Sequence, residues 1–290
     1  MKGLILKLIQ IFISRGKYLT IKRKFQKISN SRFPSIDENK FKEILVNELN
    51  LKIGDSVFIH SSVDQLNINF EPTKILNFLL ETVGENGTVL FPSWHFLNRA
   101  EVFFNGNPPD FNVLKTRSKL GFLSEWARMD KRSKRSLHPT NSIVAIGKDA
   151  EFYLSTHHNG IYPCGIDSPF YKLIEKRAKI IGLGVDVNNL TFLHCLEDVE
   201  PFLFPFRTRT EKLFDIQVIN YDGEKKVIKT LLAHENIGNR NVIKFFKKHI
   251  SSSKCLRFRL SGSSFFTTEA KSLNEELMVQ AKKGNNIYNR

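Results

Sequence analysis

Short β-rich runs alternate with helical stretches from about residue 56 to residue 250, and this alternation restricts the chain to an α/β fold more than any other feature. The pattern predicts strands over 56–59, 88–91, 142–146 and 179–185. Helices are expected over about 35–49, 72–83, 121–128, 149–155, 168–177, 190–199 and 243–250. Ser35-Ile36-Asp37-Glu38 reads as a capping box, and Ser168-Pro169 as a cap followed by proline at the first helical position. Asn188-Asn189 reads as the cap of the helix over 190–199. Gly84-Glu85-Asn86-Gly87 stops one helix, and Pro92 closes the strand that follows. Runs over 213–220 and 225–231 form a hairpin around Asp222-Gly223. The expectation is a mixed, largely parallel central sheet flanked by helices. The segment 98–118, centred on Gly106-Asn107-Pro108-Pro109-Asp110, reads as a long loop of the kind that forms lids or substrate loops.

At 290 residues and 41% hydrophobic content the chain can bury a large core. Cys164, Cys195 and Cys255 are widely spaced with no CxxC pair, which argues against a disulfide scaffold and fits a reducing, cytoplasmic setting. The formal net charge of +15 points to an anionic partner: a phosphate-rich cofactor, a nucleotide-linked substrate or a membrane surface. No homeodomain, zinc-finger or RNP signature is present, so no nucleic-acid partner is expected.

Residues 1–30 form a separate unit ahead of a 31–290 domain. Lys7, Gln10, Ser14 and Lys17 fall at helical spacing as a polar stripe, with Leu4, Ile5, Leu8, Ile9, Ile11 and Phe12 around it. The stretch is too short and broken to span a bilayer, and no small-residue cleavage site follows. A basic amphipathic helix suits either an anionic membrane surface, placing the protein at the inner face of the membrane, or docking on the body or a partner subunit, as in a homodimer.

Six segments in order resemble the aminoglycoside 3-N-acetyltransferase family. They are His60-Ser61-Ser62-Val63, the run from Gly84 to Pro92, Gly121 to Arg128, Arg135 to Ser142, Gly165 to Pro169, and Gly182-Leu183-Gly184-Val185 with Thr191 to Glu197. Each is weak alone, and their shared order is specific. The resemblance covers about residues 37–205 and fades toward the C-terminus. It implies a fold unlike that of GNAT acetyltransferases, with acetyl-CoA as donor and the amine of an amino sugar as acceptor. Conferring antibiotic resistance is the family's named role. It implies a base at His194, and a further carboxylate downstream whose position the motif does not fix.

Acetyl transfer to an amine needs a proton acceptor, donors for the developing oxyanion and a grip on the donor. An imidazole titrates near neutrality, and Glu197 and Asp198 lie one turn beyond His194, so either is placed to orient the ring. Glu197 is taken as its partner. The resemblance implies donor-binding positions at His60, Ser61, Ser62 and Val63, and around Ser136, His138 and Ser142, with Arg117 nearby. Trp94, His95 and Asp167 are the acceptor-side expectations. Each also has a plain structural reading as a turn residue, cap or core aromatic.

Over 93–119, Glu101 and Asp110 oppose Arg99, Lys115, Arg117 and Lys119. That balance disfavours a polycationic acceptor and favours an anionic amino sugar of polysaccharide or lipopolysaccharide biosynthesis; an aminoglycoside acceptor is the alternative. A metal-dependent hydrolase using His138, His157, His158, His194 and Glu197 is a rival reading, though no HExxH-type signature exists and no metal is expected. A non-enzymatic membrane-surface protein is another. Cys195 beside His194 is discounted as a nucleophile, because adjacent helical residues point apart.

Overall fold

The structure is a computed structural model describing residues 32–97, 99–238 and 240–288. The amphipathic 1–30 segment lies outside the described residues.

Seven strands form the main sheet: β1 (Ser56–Ser61), β2 (Thr88–Pro92), β4 (Lys134–Arg135), β5 (Ile143–Gly147), β6 (Lys179–Leu183), β9 (Cys255–Leu260) and β10 (Ser263–Glu269). Their order is β4-β5-β2-β1-β6-β10-β9. The sheet is mixed. Its parallel part is the central trio β2-β1-β6, and the flanking pairs are antiparallel. A second sheet joins β3 (Phe111–Asn112), β7 (Arg209–Ile219) and β8 (Lys225–Ala233).

The central strands are buried on both faces, as their near-continuous apolar runs require. Val57, Ile59, Val89, Phe91, Ile181 and Leu183 point into one core, while Phe58, Leu90 and Ile180 point into the other. Three helices cover the first face: α1 (Glu38–Glu43), α2 (Lys74–Val83) and α4 (Phe122–Met129). In α2, Ile75, Leu76, Phe78, Leu79 and Val83 are buried at helical spacing, and Gly84 ends the helix at φ 66°. The second face carries α5 (Ala150–Leu154), α6 (Pro169–Glu175), α7 (Leu193–Val199), α8 (Val242–His249) and α9 (Ala270–Lys282).

Away from the strand ends, two local expectations differ from the structure. Asp37, not Ser35, caps α1, its carboxylate accepting from Lys40 N at 2.8 Å. The segment 98–118 is not wholly loop: it contains α3 (Ala100–Asn105) and β3. Phe96 and Phe104 pack there against Ala100, Phe214, Ile216 and Leu232, which draws this segment onto the second sheet.

Both glycines of the Gly182-Leu183-Gly184-Val185 run have packing reasons. A Cβ on Gly182 would fall 2.2 Å from the Phe266 ring. Gly184 sits at φ +71°, and its Cβ would fall 2.4 Å from Ser62 O. Gly182 thus makes room for the β10 side chain beside it, and Gly184 lets the end of β6 approach the turn after β1.

Candidate active site

Parallel strands bring their carboxyl ends to one edge, where a crevice forms. Here that edge holds His60 and Ser61 at the end of β1, Trp94 after β2, and Val185 after β6. All four line a cavity of about 560 Å³. His194 of α7 also lines it, together with Arg99, Arg209, His234, Glu235 and Arg240. The size suits a small-molecule ligand.

His194 sits in the first turn of α7. That helix starts at Leu193, and Asn189 does not cap it: Asp186 instead caps a short 3₁₀ turn over Val187–Asn189, accepting from Asn188 N. One helical turn separates His194 from Glu197, and the contact forms. His194 Nδ1 lies 2.7 Å from Glu197 Oε2. The Tyr288 hydroxyl donates to Glu197 Oε1 at 2.7 Å. Arg240 Nη1 lies 2.9 Å from His194 Nε2. A guanidinium only donates, so Nε2 accepts and the ring proton is on Nδ1, directed at Glu197. Burial pushes the Glu197 carboxyl up, but the facing His194 and the Tyr288 and Arg209 groups outweigh it and hold the carboxyl below its ordinary value. Burial and the adjacent Glu197 charge push the Tyr288 hydroxyl up, so it stays a donor.

Asp198, the other carboxylate weighed for His194, is engaged elsewhere. It accepts from Arg209 Nε at 2.6 Å and Nη2 at 2.8 Å, and from Cys164 N at 2.8 Å. Cys195 is a core residue whose thiol burial pushes well above its ordinary range, which disfavours the nucleophilic thiolate.

The structure brings His60, Ser61, Trp94 and His194 together on the cavity, with Glu197 directly behind His194. His60 is buried, and burial lowers its imidazole to about 3, so the ring is neutral at working pH. His60, Trp94 and Thr191 each carry a buried side-chain nitrogen or oxygen without a hydrogen-bond partner among the described residues. Such atoms cost about 1–3 kcal/mol each when left unsatisfied, and a polar ligand would recover that.

Other expected positions fall away from the cavity. Ser62 and Val63 enter a 3₁₀ turn, with Val63 packed on the core. Ser136 accepts from Ile143 N at 2.9 Å and lies 2.8 Å from His157 Nδ1. His157 Nε2 donates to Pro163 O at 2.9 Å, which makes its Nδ1 the acceptor of the Ser136 hydroxyl. His138 is fully buried and stacks on His157 at 4.6 Å. Ser142 donates to Ser93 O at 2.7 Å. Arg117 and Asp167 are exposed. His95 is enclosed by Phe96, Phe103, Phe104 and Phe111, and burial, helped by the Arg135 charge, lowers it to about 4. The buried Arg135 guanidinium is spent on the backbone, donating to Ser93 O and Thr116 O. These side chains hold together the loops around the cavity without lining it. Among the described residues no group of three or more His, Cys, Asp and Glu is placed to hold a metal ion.

Arg209, Tyr288 and Arg240 were not found from sequence. They come from 11, 91 and 46 positions beyond Asp198, Glu197 and His194 respectively, and no local motif marks them.

The family model for aminoglycoside 3-N-acetyltransferases matches residues 58–269. The chain belongs to that family. It is 27% identical over 192 residues to the SPbeta prophage-derived aminoglycoside N(3')-acetyltransferase-like protein YokD of Bacillus subtilis, covering 60% of this chain and 69% of that one. It is 29% identical over 164 residues to an aminoglycoside N(3)-acetyltransferase III of Salmonella, covering 52% of this chain and 57% of that one. The aligned part thus spans a little over half of the latter enzyme's length. Among solved structures, aminoglycoside acetyltransferase AAC(3)-Xa superposes with a TM-score of 0.74 at 18% identity, covering 92% of this chain and 99% of that one. The AAC-IIIb complex with CoASH gives 0.69 at 20% identity, covering 87% and 97%. These likenesses establish the α/β fold of the family. The relatives carry aminoglycoside names and none refers to polysaccharide assembly, so the comparisons favour the aminoglycoside alternative over the anionic-sugar expectation.

Proposed function

We propose that this chain transfers the acetyl group of acetyl-CoA to an amine of an aminoglycoside-type amino sugar, with His194 as general base. The observation that carries this reading is the relay from Tyr288 through Glu197 to His194, which fixes the imidazole tautomer and turns the Nε2 lone pair to the cavity. The reaction forms an N–C bond and breaks the thioester C–S bond, while the amine's proton passes to His194 Nε2 and on to the leaving sulfur. Glu197 stabilises the imidazolium formed midway. The cavity residues fit a donor of this kind: the buried, unpartnered atoms of His60, Trp94 and Thr191 offer polar contacts beside His194. Support for the donor and acceptor classes comes from family membership and from relatives solved with CoASH and with sisomicin.

The test is release of free thiol from acetyl-CoA with a panel of aminoglycosides. His194→Ala should abolish turnover while calorimetry still detects CoA binding. Turnover near that of the wild type would remove His194 from the mechanism.

One observation favours a second acceptor class. Of the lining arginines, Arg99 is ion-paired with Glu235, the one lining carboxylate among the described residues, at 3.1 Å and Arg209 with Asp198 at 2.6 Å, which leaves the Arg240 charge to face the cavity. Amino sugars bearing phosphate or nucleotide, as in polysaccharide assembly, suit such a wall better than a polycation. They belong in the same acceptor panel. A peripheral membrane role for residues 1–30 rests on the sequence pattern alone, and sedimentation with anionic vesicles tests it. No helix of the described residues is long and apolar enough to cross a membrane.

A further inference from the structure

Arg240 occupies the atom on which the proposed chemistry depends. His194 Nδ1 serves Glu197, so Nε2 holds the ring's lone pair, and Arg240 Nη1 donates to it across 2.9 Å. While that contact lasts, Nε2 has no free lone pair for an incoming amine. A proton arriving there would also set an imidazolium against a guanidinium.

Arg240 differs from the other two arginines on the wall. Arg99 is paired with Glu235 at 3.1 Å, and Arg209 with Asp198 at 2.6 Å. Among the described residues Arg240 has no carboxylate within ion-pair distance; its other partner is Asn188 O at 3.4 Å. A neutral imidazole and one long carbonyl contact hold this cation weakly. An anion entering the cavity would form a stronger, charge-assisted and bidentate pair with it.

We propose that Arg240 is a ligand-operated mask on the base: an anionic group of a bound substrate draws the guanidinium off His194 Nε2 and frees the lone pair. Arg240 is thus a positioning residue, acting through His194. The base becomes available only when a ligand is seated. This inference rests on His194 being the base. The anion is a phosphate-type group, carried either by the donor's pyrophosphate or by the acceptor.

The test reads His194 directly, in the full-length protein. Peptide mass spectrometry follows the rate of carbethoxylation of His194 by diethyl pyrocarbonate, which needs a free imidazole lone pair. In the wild type the rate should be low, and inorganic pyrophosphate should raise it at least tenfold. In Arg240→Ala, which circular dichroism should show to be folded, the rate should already be high and should not respond to pyrophosphate. Equal rates in the two proteins, or no response of the wild type, overturn the mask.

Turnover then separates the two sources. S-acetylpantetheine lacks the pyrophosphate of the full donor. If the donor opens the mask, the wild type should use it at least tenfold less well than Arg240→Ala does with any acceptor. If the acceptor opens it, that deficit should vanish with glucosamine 6-phosphate and persist with glucosamine. No deficit with either acceptor counts against the mask. Full turnover in His194→Ala would defeat the base reading itself, whereas an inactive His194→Ala with equal modification rates in wild type and Arg240→Ala would defeat only the mask.

Discussion

Exchanging Glu197 for glutamine tests the relay at its middle. The side chain keeps its size and loses its charge. In the native protein Oε1 accepts from the Tyr288 hydroxyl and Oε2 accepts from His194 Nδ1, both at 2.7 Å. Burial and the neighbouring carboxylate keep that hydroxyl protonated, and it donates to Glu197. In Glu197→Gln the amide oxygen is therefore held toward Tyr288, and the amide NH₂ is turned toward Nδ1. Nδ1 must then accept, so the ring proton moves to Nε2, where it meets the Arg240 donor and no lone pair faces the cavity. A positioned acid–base group contributes about 10²–10⁴ in rate, so kcat should fall by that factor, a barrier increase of roughly 3–5.5 kcal/mol. Thiol release at saturating substrates measures kcat, and calorimetry should show CoA binding within about twofold of the wild type. The double variant Glu197→Gln with Tyr288→Phe frees the amide to rotate its oxygen back to Nδ1, and at least tenfold of the loss should return. A single variant with kcat within threefold of the wild type, or a double variant no better than the single, would refute the tautomer reasoning.

Breaking the buried pair by Arg209→Met should cost about 3–5 kcal/mol of stability, because Asp198 keeps its charge without its bidentate partner; urea midpoints measure it. His60, His95 and His157 are lowered to about 3, 4 and 3 from the ordinary 6.5. Between those values and 6.5 the unfolded chain binds more protons. Stability is therefore full above pH 6.5 and falls as pH drops toward 4, by roughly 1.4 kcal/mol per pH unit for each histidine. Urea titrations from pH 7 to 4.5 should show that slope, and a flat profile would contradict it. His157→Gln should reduce the slope by about one proton. Cys195 should resist iodoacetamide in the folded protein, and rapid labelling there would contradict its burial.

The parts of the fold carried by local chemistry were readable in advance. Gly84 ends α2, Pro169 opens α6 behind the Ser168 cap, and Asp222-Gly223 turns the hairpin, all as their backbone preferences require. The cap of α7 was misplaced because two asparagines signalled it, whereas Asp186 ahead of them took that role for a separate 3₁₀ turn. α3 was missed because its six residues lie between loops, and its stability comes from packing on the second sheet. In the site, Glu197 was readable because one helical turn fixes its distance from His194. Arg240 and Tyr288 were not, since only the tertiary fold carries them to the same imidazole and carboxylate. Polar type misled for Ser136 and His138: in the interior the Ser136 hydroxyl pairs with His157 and the His138 ring with Thr140 and Thr230.

Arg209 also joins the second sheet to the helix that carries the base. It is the first residue of β7, and its guanidinium is clamped by Asp198 on α7 beside the Glu197 relay. The β7–β8 hairpin is thereby fixed at its root beside the base, and its far end is fixed as well, since the Tyr221 hydroxyl at the turn donates to Arg135 O at 2.9 Å. Ala233 at the end of β8 pairs with Arg209, so both strands share the same footing. Residues 211–231 do not line the cavity, so a graft that exchanges them and keeps Arg209 and Ala233 would change the second sheet and leave both the relay and the cavity lining in place. Change in the hairpin is thereby separated from the site, and new acceptor recognition is to be sought in the segment after it, where Ala233, His234, Glu235, Ile237, Gly238 and Arg240 line the cavity.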